Sequence, residues 1–441
     1  MNEKPNIVIV FTDQQRWDTV GCYGNTLDLT PNLDAVAKQG ITFKNAFTCQ
    51  PVCGPARASL QTGRYATATG CFRNHIALPD NEKTIAHYLR SNGYETAYVG
   101  KWHLGGTWDK PVPKEKRGGY DDYWIAADLL EFTSHPYEGK LFDKFDNPVE
   151  FNKYRVDAVT DFAIEYLKAR SNDKPFLLFV SYLEPHHQND MNRYVAPEGY
   201  AERYRNAPVP MDLIDKDGDW KENLPDYYGI CKRIDENLGR IIEQLKELDI
   251  YDNTILIFTS DHGSHFRTRN SEYKRSCHEA SIRIPMIMHV PDIKESVAVE
   301  ELVSLVDIAP TLLEAAGIYV PRNMHGRSLI PLLRGGDVNW RSEVFVQISE
   351  SQVGRAIRTN KWKYCIYAPD KDGWNDIGSD IYVEQYLYDL ENDPYEQNNL
   401  IGNEAYRSVC DALAKALKRQ MLLTGEQEPK IIRAKAVSDL I

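Results

Sequence analysis

Hydrophobic positions along this 441-residue chain fall into short continuous runs separated by stretches of helical period. Residues 6–12 (NIVIVFT) are β-branched and apolar up to polar Asp13, the pattern of a buried strand that delivers a carboxylate at its C-terminal end. Runs of the same kind recur at 95–100 (ETAYVG), 175–182 (PFLLFVSY), 254–260 (TILIFTS) and 285–290 (PMIMHV). Between them the spacing predicts helices over 84–92, 155–170 and 227–248. In the last of these, Ile230, Ile234, Leu238, Ile241, Ile242 and Leu245 form one apolar stripe of the kind that packs into a core. The alternation predicts an α/β fold, a large and mostly parallel sheet sandwiched by helices. Ligands of such sheets sit beyond the carboxyl ends of the strands, which directs attention to Asp13, Lys101, His103, His186 and Asp261.

After Pro331 the pattern changes to short β-prone pieces at 344–348, 354–359 and 362–366, followed by a turn-rich stretch and a helix over 405–423. This predicts two domains, a catalytic α/β domain over 1–338 and a smaller C-terminal α+β subdomain with an antiparallel sheet and a helix over 339–441. Segments 123–136 and 188–225 are rich in Tyr, Trp, Arg and Asp and read as long insertions of the kind that line carbohydrate subsites. No internal repeat or low-complexity segment is visible.

With 42% hydrophobic and 26% charged residues the composition is that of a soluble globular protein. A formal net charge of −12 argues against a nucleic-acid partner, because phosphate binding needs a clustered basic surface. No run reaches the ~20 apolar residues of a spanning helix, so no membrane partner is expected. Met1 to Pro5 are polar and lead straight into a strand. The chain as written therefore shows no leader and reads as cytoplasmic, or as periplasmic or secreted if a signal peptide was removed. Eight cysteines scattered over so long a chain read as buried thiols rather than a disulfide framework. Cys49 and Cys53 form no zinc set, since no second close pair completes four ligands.

The chemistry is concentrated in residues 53–63, Cys-Gly-Pro-Ala-Arg-Ala-Ser-Leu-Gln-Thr-Gly. They fill every fixed position of the C-x-P-x-R-x-x-x-x-T-G pattern of formylglycine-dependent sulfatases, members of the alkaline-phosphatase-like superfamily, and the chain resembles a carbohydrate sulfatase. Cys49 does not fit the pattern, because Cys53 stands where arginine is required. The likeness extends to Pro5–Gln14, although many members carry a second aspartate where this chain has Gln14. It continues through Gly100-Lys101-Trp102-His103-Leu104-Gly105, Ser260-Asp261-His262-Gly263, Lys274 ahead of Glu279, and Leu387-Tyr388-Asp389-Leu390 with Asp393-Pro394. The resemblance implies that a maturation enzyme oxidises Cys53 to formylglycine, whose hydrate attacks sulfur, and that the substrate is a sulfated small molecule or saccharide.

Asp13, Gln14, Asp261 and His262, with Cys53 as the fifth position, offer mostly hard oxygen donors, which favour calcium over magnesium and both over zinc. Arg57 and Lys101 are candidates to stabilise the developing alkoxide, and Lys274 to grip a sulfate oxygen. His186 is the candidate acid for the leaving alcohol and His103 the base that releases sulfate. His187, His265 and His278 are weaker candidates for substrate contacts, and His75, His87, His135, His289 and His325 are expected to be structural. A phosphonate monoester hydrolase or phosphodiesterase of the same superfamily is the nearest rival reading, and a noncatalytic sulfated-glycan binding protein a more distant one.

Overall fold

The protein is described by a computed structural model covering residues 4–334 and 339–435. The start of the chain at Met1 and the domain boundary expected after residue 338 lie outside the described residues. No helix among the described residues is long and apolar enough to cross a membrane.

Ten strands form the first sheet: β1 (Asn6–Thr12), β2 (Ile41–Phe47), β3 (Glu95–Lys101), β4 (Tyr123–Ala127), β5 (Gly139–Asp143), β6 (Pro148–Phe151), β7 (Phe176–Ser181), β8 (Thr254–Ser260), β9 (Met286–His289) and β10 (Val297–Ser304). Their order is β10-β2-β9-β8-β1-β7-β3-β4-β5-β6. The centre, β8-β1-β7-β3-β4, is parallel throughout. β1 lies in the middle with every residue buried, which is why its sequence is apolar without alternation. Helices Arg155–Ala169 and Trp220–Glu247 cover one face, and Cys53–Thr62, Ile85–Ser91 and Ile308–Ala315 lie with the core of the other.

β9, expected as one more parallel strand, runs antiparallel to both β8 and β2. A parallel neighbour needs a crossover that returns the chain to the opposite end of the sheet. Residues 261–285 instead stay at the carboxyl end of β8 with one short helical turn, Glu279–Ile282, and re-enter the sheet from that end. Segment 123–136 is likewise no insertion, since it contributes β4 and the short helix Leu130–Thr133. Within 188–225 the chain forms Tyr200–Arg203, and the long helix begins at Trp220, seven residues before the start that its apolar stripe predicts. Pro225 withholds one N–H there, and tertiary bonds anchor the extra turns: Asn223 accepts from Tyr194 N at 3.2 Å and Asp226 from Ala196 N at 2.9 Å.

The second sheet comprises β11 (Glu343–Ile348), β12 (Val353–Thr359), β13 (Trp362–Ala368), β14 (Ile381–Asp389) and β15 (Lys430–Ile432), in that order, with helix Arg407–Leu423 against it. The first four strands are antiparallel and β15 joins parallel to β14. This sheet grips the chain just ahead of Cys53: Gln347 N donates to Cys49 O at 2.9 Å and Gln50 Nε2 to Ser349 Oγ at 2.6 Å. It also reaches segment 261–285, where fully buried Lys363 binds Glu279 at 2.7 Å and Glu396 at 2.6 Å. Replacing Lys363 by Met should leave buried Glu396 without its cation and Glu279 with only Arg358 at 3.4 Å, and cost ~3–5 kcal/mol of stability, read as a lowered denaturation midpoint with an unchanged slope.

Candidate active site

The motif of residues 53–63 folds as the helix Cys53–Thr62, buried along its whole length. Pro55 stands in the first turn, where a missing N–H costs nothing, and Gly63 ends the helix in the left-handed region at φ 67°. Cys53 and Arg57, four residues apart, share one face of this helix and project to one point. Gly54 N donates to Asn74 Oδ1 at 2.9 Å, which fixes the helix start against the following loop.

Three strand ends meet Cys53. Asp13 follows β1 and is fully buried; its Oδ2 accepts from Lys101 at 2.9 Å and Arg57 at 3.1 Å, and its Oδ1 lies 3.4 Å from Cys53 Sγ. Burial alone would raise this carboxyl, but Lys101, His186, Lys274 and Arg57 outweigh it and hold Asp13 well below the usual carboxylate range. Lys101 ends β3, where Gly100 at φ 106° is obligatory because a side chain there would run into the carbonyl of Ser181. Arg57 in turn donates to Lys101 O at 3.0 Å and Ser181 Oγ at 2.6 Å.

Asp261 and His262 follow β8. Asp261 Oδ1 accepts from Gln14 N at 3.0 Å, and burial together with the charge of Asp13 pushes its carboxyl up. His262 Nδ1 lies 2.9 Å from Gly263 O, a pure acceptor, so Nδ1 carries the hydrogen and Nε2 presents a lone pair. Burial pushes this imidazole down to about 4, so it is neutral near pH 7. That lone pair faces Asp261 Oδ1 at 3.4 Å, Asp13 Oδ1 at 3.6 Å and Cys53 Sγ at 3.4 Å. Gln14 Oε1 and Asp261 Oδ2 are buried without a hydrogen-bond partner. Converging acceptors of this kind, with one ligand atom from each of Asp13, Cys53, Asp261 and His262 within 4.8 Å of one another, fit a cation. Gln14 itself is held at φ 72° with its amide nitrogen 2.5 Å from Tyr194 Oη.

Lys274 enters from segment 261–285 and donates to Cys53 Sγ at 2.9 Å, with His186 Nε2 at 3.2 Å. His186 Nδ1 lies 2.5 Å from His187 O and so carries the hydrogen, which makes Nε2 the acceptor from Lys274. Burial, reinforced by Lys274, holds His186 well below the ordinary histidine range; burial, then Lys101 and Arg57, does the same to His103, whose two ring nitrogens have no partner. Burial and the Asp13 charge push the Cys53 thiol up.

Glu131 and Ser181 belong to this cluster and carry no sequence motif: Glu131 holds the far side of Lys101 at 3.0 Å. A buried lysine whose first carboxylate is shared demands a second, and that demand was the available signal. The histidines divide differently from expectation. His265 and His278, expected near substrate, are buried structural groups, bonded to Lys274 O at 3.0 Å and Tyr388 Oη at 3.2 Å. His75, expected to be structural, lines the cleft of about 300 Å³ above Cys53, together with His103, His186 and His187. His135 is exposed and pairs with Asp190.

Residues 5–318 match the family model described as Sulfatase, and residues 271–422 match that of the N-sulphoglucosamine sulphohydrolase C-terminal region. An ulvan-active sulfatase of Formosa agariphila is 33% identical over 96% of this chain and 82% of its own length. An N-acetylglucosamine-6-O-sulfatase of Bacteroides thetaiotaomicron is 26% identical over 97% of this chain and 88% of its own. The crystal structure of a putative sulfatase yidJ from Bacteroides fragilis superposes with a TM-score of 0.83 at 28% identity, covering 96% of each chain. With residues 5–318 matching the family model and a sulfatase relative 33% identical over 96% of this chain, the protein belongs to the sulfatase family and is a sulfuric ester hydrolase.

Proposed function

We propose that the protein hydrolyses a sulfate ester of a sulfated saccharide, using a formylglycine made from Cys53 and one divalent cation, calcium before magnesium. The observation that carries this reading is the position of Cys53 Sγ, within 3.4 Å of Asp13, His262 and Lys274 at the start of the helix that bears Arg57. Sγ stands in for the oxygen that the oxidised side chain would carry. Asp13, Gln14, Asp261 and His262, with residue 53, would hold the cation, which when bound lowers the pKa of a coordinated hydroxyl and offsets charge on the transferring group. The carbohydrate substrate is supported by the two relatives named for saccharide sulfatase activity.

The chain's own groups divide the remaining work. Arg57 and Lys101 fix Asp13 from one side and place positive charge beside the nucleophile as it becomes anionic. Lys274 reaches the space above residue 53 and binds a sulfate oxygen. The Lys274–His186 pair, 3.2 Å apart, shares the proton that the leaving alcohol takes. His103, neutral and unpartnered, removes the proton whose loss releases sulfate. In the same reading residues 1–338 form the catalytic domain, and the C-terminal subdomain 339–441 braces the segments that carry Cys53 and Lys274. Cys53 is 2% exposed in the folded chain, so its maturation enzyme would have to read this segment before the helix is buried.

Protein co-expressed with a formylglycine-generating enzyme should carry the aldehyde at Cys53 by peptide mass spectrometry and release sulfate from 4-nitrophenyl sulfate. Full activity from an unmodified thiol would refute the mechanism.

The cation can be read without turnover. In chelator, Asp13→Asn strips Lys101 and Arg57 of a shared carboxylate and should cost ~3–5 kcal/mol, lowering the melting temperature. Asp261→Asn keeps the bond from Gln14 N and relieves a repulsion against Asp13 while losing the 3.5 Å contact with Arg57, so it should lower the melting temperature by much less than Asp13→Asn. Added calcium should raise the melting temperature of wild type and of neither variant.

Lys274→Ala should lower kcat/KM for an aryl sulfate by ~2–4 kcal/mol of transition-state stabilisation and affect an aryl phosphodiester far less, since a diester has one fewer free oxygen to grip. A wild-type preference for the diester would favour the phosphodiesterase reading.

A further inference from the structure

Beyond the sulfate-binding centre, the cleft opens onto a row of aromatic rings contributed by four separate parts of the chain. His75 stacks on Trp108 with centroids 4.2 Å apart and planes 8° from parallel, and lies 5.8 Å from Trp374 and 6.0 Å from His103. Phe132 extends the row 5.7 Å beyond Trp108. Large aromatic faces are normally covered, yet Trp108 is 48% exposed and Trp374 38% exposed.

The row is built rather than incidental. His75, His103 and Trp108 all hold left-handed backbone, at φ 65°, 60° and 61°, a conformation that costs free energy at each non-glycine residue and that the surroundings enforce. Asp128 fastens the Trp108 loop by accepting from Gly105 N at 2.8 Å, Thr107 N at 2.6 Å and Trp108 N at 3.2 Å. Glu350, in the β11–β12 turn, accepts from Asn74 N at 2.7 Å and bonds to Gly373 O at 2.7 Å through its own N–H, which ties His75 and Trp374 to one another.

Arg73 supplies charge. Its guanidinium lies 4.8 Å over the Trp374 ring, its Nε is buried without a partner, and among the described residues it forms no salt bridge. The nearby Glu350 carboxylate is already taken by Asn74 N and by Arg275 at 2.5 Å. Its Nη1 donates to Asn74 O at 2.9 Å, and an arginine that has no carboxylate partner among the described residues, set beside exposed rings in a chain of net charge −12, is a local attraction for an anion on a flat ring-shaped ligand.

We propose that Trp108, His75, Trp374 and Arg73 form a second sugar subsite that takes the unit next to the sulfated one and selects an anionic group on it. This rests on the sulfate-ester reading above and deepens it to an acidic oligosaccharide. The rings stack on the sugar's C–H face, and Arg73 binds its carboxylate or second sulfate.

The test is binding to the full chain carrying Cys53→Ala, followed by intrinsic tryptophan fluorescence. The probes are three disaccharides with one sulfate ester each, whose second unit is a neutral hexose, a hexuronic acid or a sulfated hexose. Either or both acidic probes should bind at least about tenfold tighter than the neutral one and shift the emission, and the tighter of the two names the anion. Arg73→Gln should bring that preference close to one, Arg73→Lys should keep most of it, and Trp374→Ala should weaken all three probes. Equal binding of acidic and neutral probes to the chain with Arg73 intact, or saturation without an emission change, would overturn the proposal. Sulfate release from 4-nitrophenyl sulfate by matured wild type is scored separately, so its failure bears on the sulfate-ester reading alone.

Discussion

The carboxylate of Asp13 is the point on which the site depends. It is fully buried at the end of the central strand and would be costly there if left alone. Lys101 and Arg57 are therefore bonded to one of its oxygens, with Lys274 3.9 Å from the other. Each of those cations is itself buried and needs further partners, and finding them recruits Glu131, Ser181, Asp261 and His186. The result is a cluster of near-balanced charge in a buried space, where each contact is stronger than it would be in bulk water. Such a centre is pre-organised, because none of its members can move without exposing another to an unpaired charge.

The smaller sheet has a role that its distance in sequence conceals. Its first strand binds the backbone at Cys49, its β11–β12 turn holds Asn74 and Arg275 through Glu350, and Lys363 in β13 clamps Glu279. These contacts fall on the segments before Cys53, after it, and around Lys274. The sheet thus braces the segments that line the cleft, and its β13–β14 loop contributes Trp374 to the aromatic row.

Much of this protein was determined by sequence alone. The apolar runs of β1, β7 and β8 are continuous because strands covered on both faces exclude polar residues, so the parallel core could be read directly. The 53–63 motif singled out Cys53 and Arg57 from sequence, while the helix that presents them on one face and stops at left-handed Gly63 was seen only in the structure. What tertiary structure decided were the relations between elements. The reversal of β9 depends on where residues 261–285 rest, not on the apolar pattern of the strand, which is the same in either direction. Glu131 is one acidic residue among 64 Asp and Glu until folding sets it beside Lys101, and His75 is one of 11 histidines until it stacks on Trp108. Periodicity and motifs report on neighbours a few residues away; pairing of buried charges and stacking of rings across the cleft depend on distances that exist only once the chain has closed on itself.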